Sequence, residues 1–202
     1  MTPRESTTGR PRDPVIDTAV LATALAHLAS RGYEAMSVAA VALEAGTTRQ
    51  AVYRRWPTKA ELAVAAIASM SKLSERPDTD NPFADLVAEL SAFHAGVTRP
   101  NGVSMVGSML QDAADPHLLA LYRDRIVAPR RNRLRHILLR AVQMGLADRD
   151  ADIDHAVAAC TGTLYSLHLA GRPTGKDWPK RTATLVWRSI GGSPTAATTS
   201  RP

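Results

Sequence analysis

The chain has 202 residues, of which 45% are apolar and only 4% aromatic. This apolar content suffices for a folded core and excludes a wholly disordered protein. The single cysteine, Cys160, excludes an internal disulfide and a cysteine-rich metal cluster. The sequence has no run of 18 apolar residues and no apolar segment near its start, so we expect a cytoplasmic protein without a membrane span.

The formal net charge is +6, from 25 basic and 19 acidic residues, a balance typical of proteins that bind nucleic acid or an anionic membrane surface. Alanine occurs 34 times and leucine 20 times, and both are strong helix formers. Because no run of alternating β-branched residues is present, the composition predicts an all-α fold.

The first predicted elements are a flexible basic arm, residues 1–12, and the helix that follows it. Asp13 and Pro14 match the cap and first turn of a helix. Apolar residues then recur at every fourth position from Ile16 to Leu28, and Gly32 marks the predicted end of the helix.

Three shorter helices are predicted next. Each follows a residue that can cap a helix, namely Ser37, Thr48 and Thr58, and Glu61 completes a capping box with Thr58. Glycine or proline ends the first two of them. The predicted helices cover residues 38–45, 49–56 and 59 to about 73.

The positions of proline and of polar stretches divide the chain into segments. Pro129 is expected to kink or divide the longest predicted helix. The predicted segments are a helix-turn-helix domain at 13–56, a connecting helix at 57–73, a linker at 74–82, a larger helical domain at 83–190 and a disordered tail at 191–202. Helices in the larger domain are predicted at 83–97, 103–114, 116–146, 154–170 and 177–190.

The spacing of Ala42, Gly46 and Val52 is typical of a helix-turn-helix. A small residue lets the second helix pack closely, glycine accepts a left-handed turn, and valine anchors the second helix to the core. One face of that helix is then free. Its predicted residues are Thr48, Arg49, Gln50, Tyr53, Arg54 and Arg55.

This free face has the chemistry of a recognition helix in the DNA major groove. Arg49 matches a bidentate contact to guanine and Gln50 one to adenine, whereas Tyr53, Lys59 and Ser37 are placed for phosphates. Residues 47–59 hold four basic side chains and no acid. The alternative is a generic helical hairpin with a solvated arginine face. The candidate DNA-binding residues are Arg10, Arg12, Ser37, Thr47, Thr48, Arg49, Gln50, Tyr53, Arg54 and Lys59.

Residues 31–62, RGYEAMSVAAVALEAGTTRQAVYRRWPTKAEL, resemble the DNA-binding domain of the tetracycline-repressor (TetR) family of bacterial regulators. The run from Trp56 to Lys59, with Tyr53 three residues before the tryptophan, is the most characteristic part. The GRPRDP arm at 9–14 is similar to that of many actinobacterial members. Two residues depart from the pattern: His27 stands where an apolar residue is usual, and Thr47 replaces a common valine.

The resemblance implies an N-terminal three-helix head and a larger C-terminal domain for ligand binding and dimerisation. It implies a homodimer that binds a palindromic double-stranded DNA operator. It further implies a repressor that a small-molecule effector of unknown identity releases from DNA. No cofactor, no metal and no enzymatic activity are predicted. The alternative function is a helical small-molecule-binding or adaptor protein without specific operator binding.

Family members commonly place their ligand pocket among the middle helices. The apolar and polar side chains that match such a pocket are Phe93, Met105, Met109, Tyr122, Tyr165 and His168. Methionine and aromatic residues at helical spacing are also ordinary core residues. The few acids on the predicted pocket helices, mainly Asp85, Glu89 and Asp112, disfavour a strongly cationic ligand.

The last two helices commonly form the dimer interface in this family. Small residues on the predicted helix at 154–170 allow close helix packing, and the final helix is rich in large apolar residues. The candidate interface residues are Ala158, Ala159, Gly162, Leu185 and Trp187. Packing within one chain is the alternative for each of them.

Seven arginines and one acid, Asp124, lie in residues 123–140. Such a run is typical of the solvated face of a long helix, which we favour over a second nucleic-acid or anion site.

Overall fold

The computed structural model describes residues 14–70, 76–99, 102 and 115–193, and in these residues it contains helices and no strand. The predicted all-α fold is therefore confirmed. None of the helices in the described part is long and apolar enough to cross a membrane. The predicted arm at 1–12, the predicted helix at 103–114 and residues 194–202 of the predicted tail lie outside the described residues.

The N-terminal helices follow the capping residues closely. They are α1 (Pro14–Ala35), α2 (Val38–Glu44), α3 (Arg49–Arg55) and α4 (Lys59–Met70). Gly32, with a φ of 77°, breaks the helical geometry within α1, where the sequence predicted its end. At the start of α4, Thr58 and Glu61 exchange the two hydrogen bonds of a capping box, at 3.1 and 3.2 Å.

The C-terminal helices form the larger part of the chain. The first is α5 (Pro82–Val97), and a long helix follows in three parts: α6 (Pro116–Tyr122), a π-helical turn (Arg123–Val127) and α7 (Ala128–Gln143). The last two are α8 (Ile153–Leu169) and α9 (Trp178–Ser189).

Pro129 was expected to kink or divide the long helix, and the irregularity lies just before it. The Ala128 N–H donates to the Arg123 carbonyl, five residues back, which defines a π-helical turn. Proline has no N–H, and its ring crowds the carbonyl four residues earlier. A wider turn at this place relieves the crowding and keeps the helix continuous.

Two hydrophobic cores divide the molecule. The first joins α1 to α4 and also buries Leu118, Tyr122 and Ile126, which belong to α6 and the π-helical turn. The second is built from α5, α7, α8 and α9. We call the first group of helices, α1 to α4, the head and the second group the body. The helix that contains α6 and α7 therefore supplies side chains to both cores.

Trp187 belongs to the second core, so the prediction that it lies at a dimer interface is wrong. It is 1% exposed, and its ring packs edge to face on Phe83, 5.3 Å between centroids. Helix α9 packs on α5, and this contact turns the tryptophan inward while Leu185 stays 57% exposed. Composition alone could not decide which face of α9 is covered.

The arginine run is more structured than the expected solvated face. Arg133 and His136 contact the carboxylate of Asp78, which lies in the segment that leads into α5. Arg140 donates to the buried Asp85 carboxylate of α5 at 2.9 Å. Further ion pairs join Arg135 to Asp154 and Arg125 to Glu61. These pairs attach α7 and the π-helical turn to their neighbours.

Asp78 makes this attachment dependent on pH. The hydrogen bond from His136, followed by that from Arg133, lowers the pKa of Asp78 from 3.8 to about 2. A carboxylate with a lowered pKa stabilises the folded state above its unfolded pKa, and the stabilisation is lost as the pH falls through its folded pKa.

We expect Asp78→Asn to lower the free energy of unfolding at pH 7 by less than about 1 kcal/mol, the usual size of an exposed ion pair. The difference from the original chain should shrink as the pH falls below 4 and should be nearly gone below pH 2, the folded pKa of Asp78. Urea unfolding at about pH 7, 4 and 1.5 measures it, with Asp80→Asn as the control because that exposed carboxylate has no ion pair among the described residues. A difference that persists undiminished below pH 2 would contradict the assignment.

Candidate nucleic-acid interface and cavity

The turn between α2 and α3 has the geometry of a helix-turn-helix. Gly46 has a φ of 68°, in the left-handed region that favours glycine. The Thr48 hydroxyl accepts a hydrogen bond from the Ala51 N–H at 3.1 Å and thereby caps α3. Val52, 1% exposed, fixes α3 to the core of the head, as the sequence predicted.

The opposite face of α3 is exposed and basic. Thr48, Arg49, Gln50 and Arg54 are exposed, and Tyr53 is half-buried. The Arg49 guanidinium lies over the Tyr53 ring, 5.3 Å from its centroid. Among the described residues, none of these side chains forms an ion pair. Their donors and charges therefore face solvent, where a polyanion can reach them.

Arg55 does not share this face, although the sequence placed it there. Its Nε contacts the Asp17 carboxylate of α1, and its guanidinium also donates to the Ala51 carbonyl at 3.3 Å. The Arg55 side chain is 11% exposed. The arginine therefore ties α3 to α1 within the head and is not presented to DNA.

The remaining candidates in the head lie near α3. Ser37 is exposed at the start of α2, where its hydroxyl accepts from the Ala40 N–H at 3.4 Å. Thr47 is half-buried in the turn. The Lys59 ammonium, at the start of α4, donates to the Glu34 carbonyl at 2.9 Å and lies 4.5 Å from the centroid of the Tyr33 ring. Arg10 and Arg12 lie outside the described residues.

His27, the departure from the family pattern, is buried in the head. Its Nε2 lies 3.0 Å from a carboxylate oxygen of Glu44, which is half exposed on α2. The polar residue thus connects α1 to α2 through a side-chain contact, where an apolar residue would only pack.

A cavity of about 220 Å³ lies between the two cores. Phe93, Tyr122 and Tyr165 line it, as the sequence predicted for a pocket, and the rings of Phe93 and Tyr165 meet edge to face at 6.2 Å. The Arg130 guanidinium stands 5.0 Å from the centroid of the Phe93 ring. His168 is exposed and does not line this cavity, whereas Met105 and Met109 lie outside the described residues.

Burial moves the pKa of the two cavity tyrosines further above neutral. It raises the pKa of Tyr122 to about 12, with a smaller effect from Tyr165 in the same direction and an opposing one from Arg130. Burial likewise raises the pKa of Tyr165. Both hydroxyls therefore remain protonated near neutral pH and can donate hydrogen bonds inside the cavity. No Asp or Glu is among its described wall residues.

The cavity continues toward the head. Ile67 and Met70 of α4 line an adjoining space together with Phe93, Tyr122 and Tyr165. Ile67, Tyr122 and Ile126 also belong to the core of the head. A molecule in this cavity would consequently touch side chains of both cores.

The outer face of α8 and α9 is open and partly apolar. Ala158, Gly162 and Leu185 are exposed, and Ala159 is half-buried. Ala159, Gly162 and Leu185 line a shallow groove of about 780 Å³ between the two helices. Leu169, 87% exposed at the end of α8, was not among the predicted interface residues. Its position at the helix end gave no sequence signal.

The head contains a helix-turn-helix whose second helix, α3, is exposed and basic, and it is joined to a helical body. This arrangement defines a helix-turn-helix transcriptional regulator. Family models extend this class to most of the chain. The model for bacterial regulatory proteins of the tetR family matches residues 20–66, and that for the tetracyclin repressor-like C-terminal domain matches residues 76–186. The chain belongs to the TetR family, and it is a DNA-binding regulator and not an enzyme.

Individual relatives agree with this assignment. An uncharacterized HTH-type transcriptional regulator of Mycobacterium bovis is 32% identical over 176 residues, which cover 83% of this chain and 86% of the relative. YdeS, an uncharacterized HTH-type transcriptional regulator of Bacillus subtilis, is 27% identical over 164 residues, with coverages of 80% and 82%.

Solved structures show the same fold. The crystal structure of the TetR family transcription regulator SCO0332 is 25% identical with a TM-score of 0.62, and the match covers 88% of this chain and 98% of that one. A TetR transcriptional regulator from Agrobacterium tumefaciens is 18% identical with a TM-score of 0.63, at coverages of 90% and 96%.

Proposed function

We propose that this regulator is a homodimeric cytoplasmic repressor that binds a palindromic operator and that a small-molecule effector releases from DNA. The observation that carries the proposal is the position of the cavity. Its walls include Tyr122 and Ile126, which are also core residues of the head. A ligand that prefers one packing of these side chains shifts the head toward the matching conformation, by its difference in affinity for the two states.

Helix α3 is the proposed recognition helix. The exposed donors of Arg49 and Gln50 suit direct contacts to base edges, and Tyr53, Arg54 and Lys59 suit contacts to phosphates. Two such helices in a symmetric dimer would meet half-sites about one helical turn apart. The purified chain, used to select duplexes from a random-sequence library, should therefore enrich a palindrome.

We expect Arg49→Ala to weaken binding to the selected palindrome by about 1–3 kcal/mol and to relax the preference at one base pair of each half-site. Fluorescence anisotropy with single-base variants of the duplex measures both effects. Arg149→Ala is the matched control, because Arg149 is exposed in the turn between α7 and α8, outside both the head and the proposed dimer face. Equal affinities of Arg49→Ala and the control would contradict the assignment.

The proposed effector is small, largely apolar and either neutral or anionic. The described walls offer aromatic rings, two protonated phenols and the Arg130 guanidinium, and they contain no carboxylate that would favour a cation. A cavity of about 220 Å³ lies below the roughly 300–1,000 Å³ of typical ligand pockets, which favours a compact ligand.

Thermal unfolding with benzoate, octanoate and octylamine tests this effector class. A ligand that binds only the folded state raises the melting temperature as its concentration increases. We expect stabilisation by at least one carboxylate and none by the amine. Thr161→Phe, which places a ring at the cavity wall, should abolish the effect, whereas Thr184→Phe on α9 should retain it. Stabilisation by octylamine alone would contradict the proposal.

The proposed dimer buries the open face of α8 and α9 against a second copy of the chain. Leu169 and Leu185 are exposed there, beside small residues that allow close helix packing. A twofold axis on this face would pair each groove with the same groove of the other copy.

We expect Leu185→Glu to raise the dimer dissociation constant at least tenfold, because it would bury a charge in an apolar contact. Sedimentation equilibrium measures the change. Met144→Glu, at a 49% exposed position beyond α7, is the control and should remain dimeric. A Leu185→Glu chain that stays as dimeric as the control would place the interface elsewhere.

A further inference from the structure

Two contacts restrain the half-buried side chain of Lys59. Its ammonium lies over the Tyr33 ring at 4.5 Å and donates to the Glu34 carbonyl at 2.9 Å. A free lysine side chain has about 2 kcal/mol of rotamer entropy, which must be lost when the ammonium binds a phosphate. The ring and the carbonyl restrict the side chain before any DNA arrives.

The same tyrosine also contacts the residue that caps α6. Tyr33 is 5% exposed, and its hydroxyl donates to Oδ2 of Asp115 at 2.8 Å, across 82 positions of sequence. The other carboxylate oxygen of Asp115 accepts the N–H groups of His117 and Leu118, at 3.0 and 3.1 Å, and so caps α6. The hydroxyl and the helix cap therefore share one carboxylate.

Helix α6 ends at the cavity. It has only seven residues, from Pro116 to Tyr122, and Tyr122 is a cavity wall. A shift of α6 along its axis, or a rotation about it, would move the Asp115 carboxylate and the Tyr122 ring together, since two helical turns separate them.

We propose that Tyr33 is a positioning residue that connects the DNA-phosphate contact of Lys59 to the cavity helix α6. The ring presents the ammonium, and the hydroxyl ties the position of that ring to Asp115. The part that concerns the cavity rests on the effector function proposed above. Thermodynamic linkage then requires that DNA binding alters α6 as strongly as a change at α6 alters DNA binding.

Two substitutions separate the two roles. Tyr33→Leu removes both ring and hydroxyl, whereas Tyr33→Phe keeps the ring and removes the hydroxyl that donates to Asp115. Ser91→Ala is the control, because it removes an exposed hydroxyl of α5 that donates to its own helix. The probe is a fluorescent 24-base-pair duplex of random sequence, since a phosphate contact does not require an operator.

Binding is measured by anisotropy between 50 and 200 mM salt. Each phosphate contact contributes about 0.9 to the slope of log affinity against log salt. We expect Tyr33→Leu to reduce the magnitude of this slope by about 0.9, the contribution of one phosphate contact. Tyr33→Phe and Ser91→Ala should keep the original slope. An unchanged slope for Tyr33→Leu would overturn the role of the ring.

Hydrogen exchange of the α6 amides measures the role of the hydroxyl. In the original chain, bound duplex should slow exchange at residues 119–122 at least threefold. The Tyr33→Phe variant should bind the duplex as tightly as the original chain. In this variant, however, the bound duplex should not change the exchange rates of residues 119–122. Equal slowing in Tyr33→Phe, or no slowing in the original chain, would overturn the connection to α6.

A spectroscopic measurement covers the case in which Tyr33→Leu does not fold. The ε-methylene protons of Lys59 should show an upfield ring-current shift in the NMR spectrum of the original chain and of Tyr33→Phe. Its absence would overturn the proposal. The duplex used here carries no operator. If the library selection yields no palindrome, that result contradicts the function proposed above, but the results expected for Tyr33 stay the same.

Discussion

Helix α6 is buried by the head, although it continues through the π-helical turn into α7 of the body. Leu118, Tyr122 and Ile126 are between 0% and 7% exposed, and they belong to the same core as α1 to α4. Burial of such side chains stabilises a contact by about 1.5–3 kcal/mol each. Ligand-driven coupling between sites is typically only 1–3 kcal/mol in total. An effector therefore has too little energy to detach α6 from the head, and it can only shift α6 within this contact.

This constraint explains the place of the cavity. The first core ends at Ile126 and the second begins with Leu134 on the same helix. Arg130 lies between them and faces the Phe93 ring. Packing defects are most easily accommodated where two cores meet, because neither set of side chains closes the gap completely. The cavity thus results from one helix that contributes side chains to both cores.

The sequence predicted best what is decided locally. The caps at Ser37, Thr48 and Thr58 depend on hydrogen bonds within three residues, and each was placed correctly. The family assignment likewise rested on contiguous residues of the head.

Of the predicted pocket residues, Phe93, Tyr122 and Tyr165 do line one cavity. The orientations of Trp187, Arg55 and His168 were not predictable, since they depend on which neighbouring helix covers each face. The ion pairs of the arginine run were not predictable for the same reason: two of its acidic partners, Asp78 and Asp85, lie more than 50 positions away.

The π-helical turn before Pro129 has a geometric consequence for the whole molecule. Such a turn amounts to one residue inserted into an α-helix, and each residue of an α-helix advances the side chains by about 100°. The turn therefore rotates the side chains after Val127 about the helix axis relative to those before Arg123. Compared with a regular α-helix, the rotation is nearly a third of a revolution. Deletion of a single residue there would restore a regular α-helix and turn either Tyr122 or Leu134 away from the cavity. The relative orientation of head and body is in this sense encoded by one extra residue in a single turn.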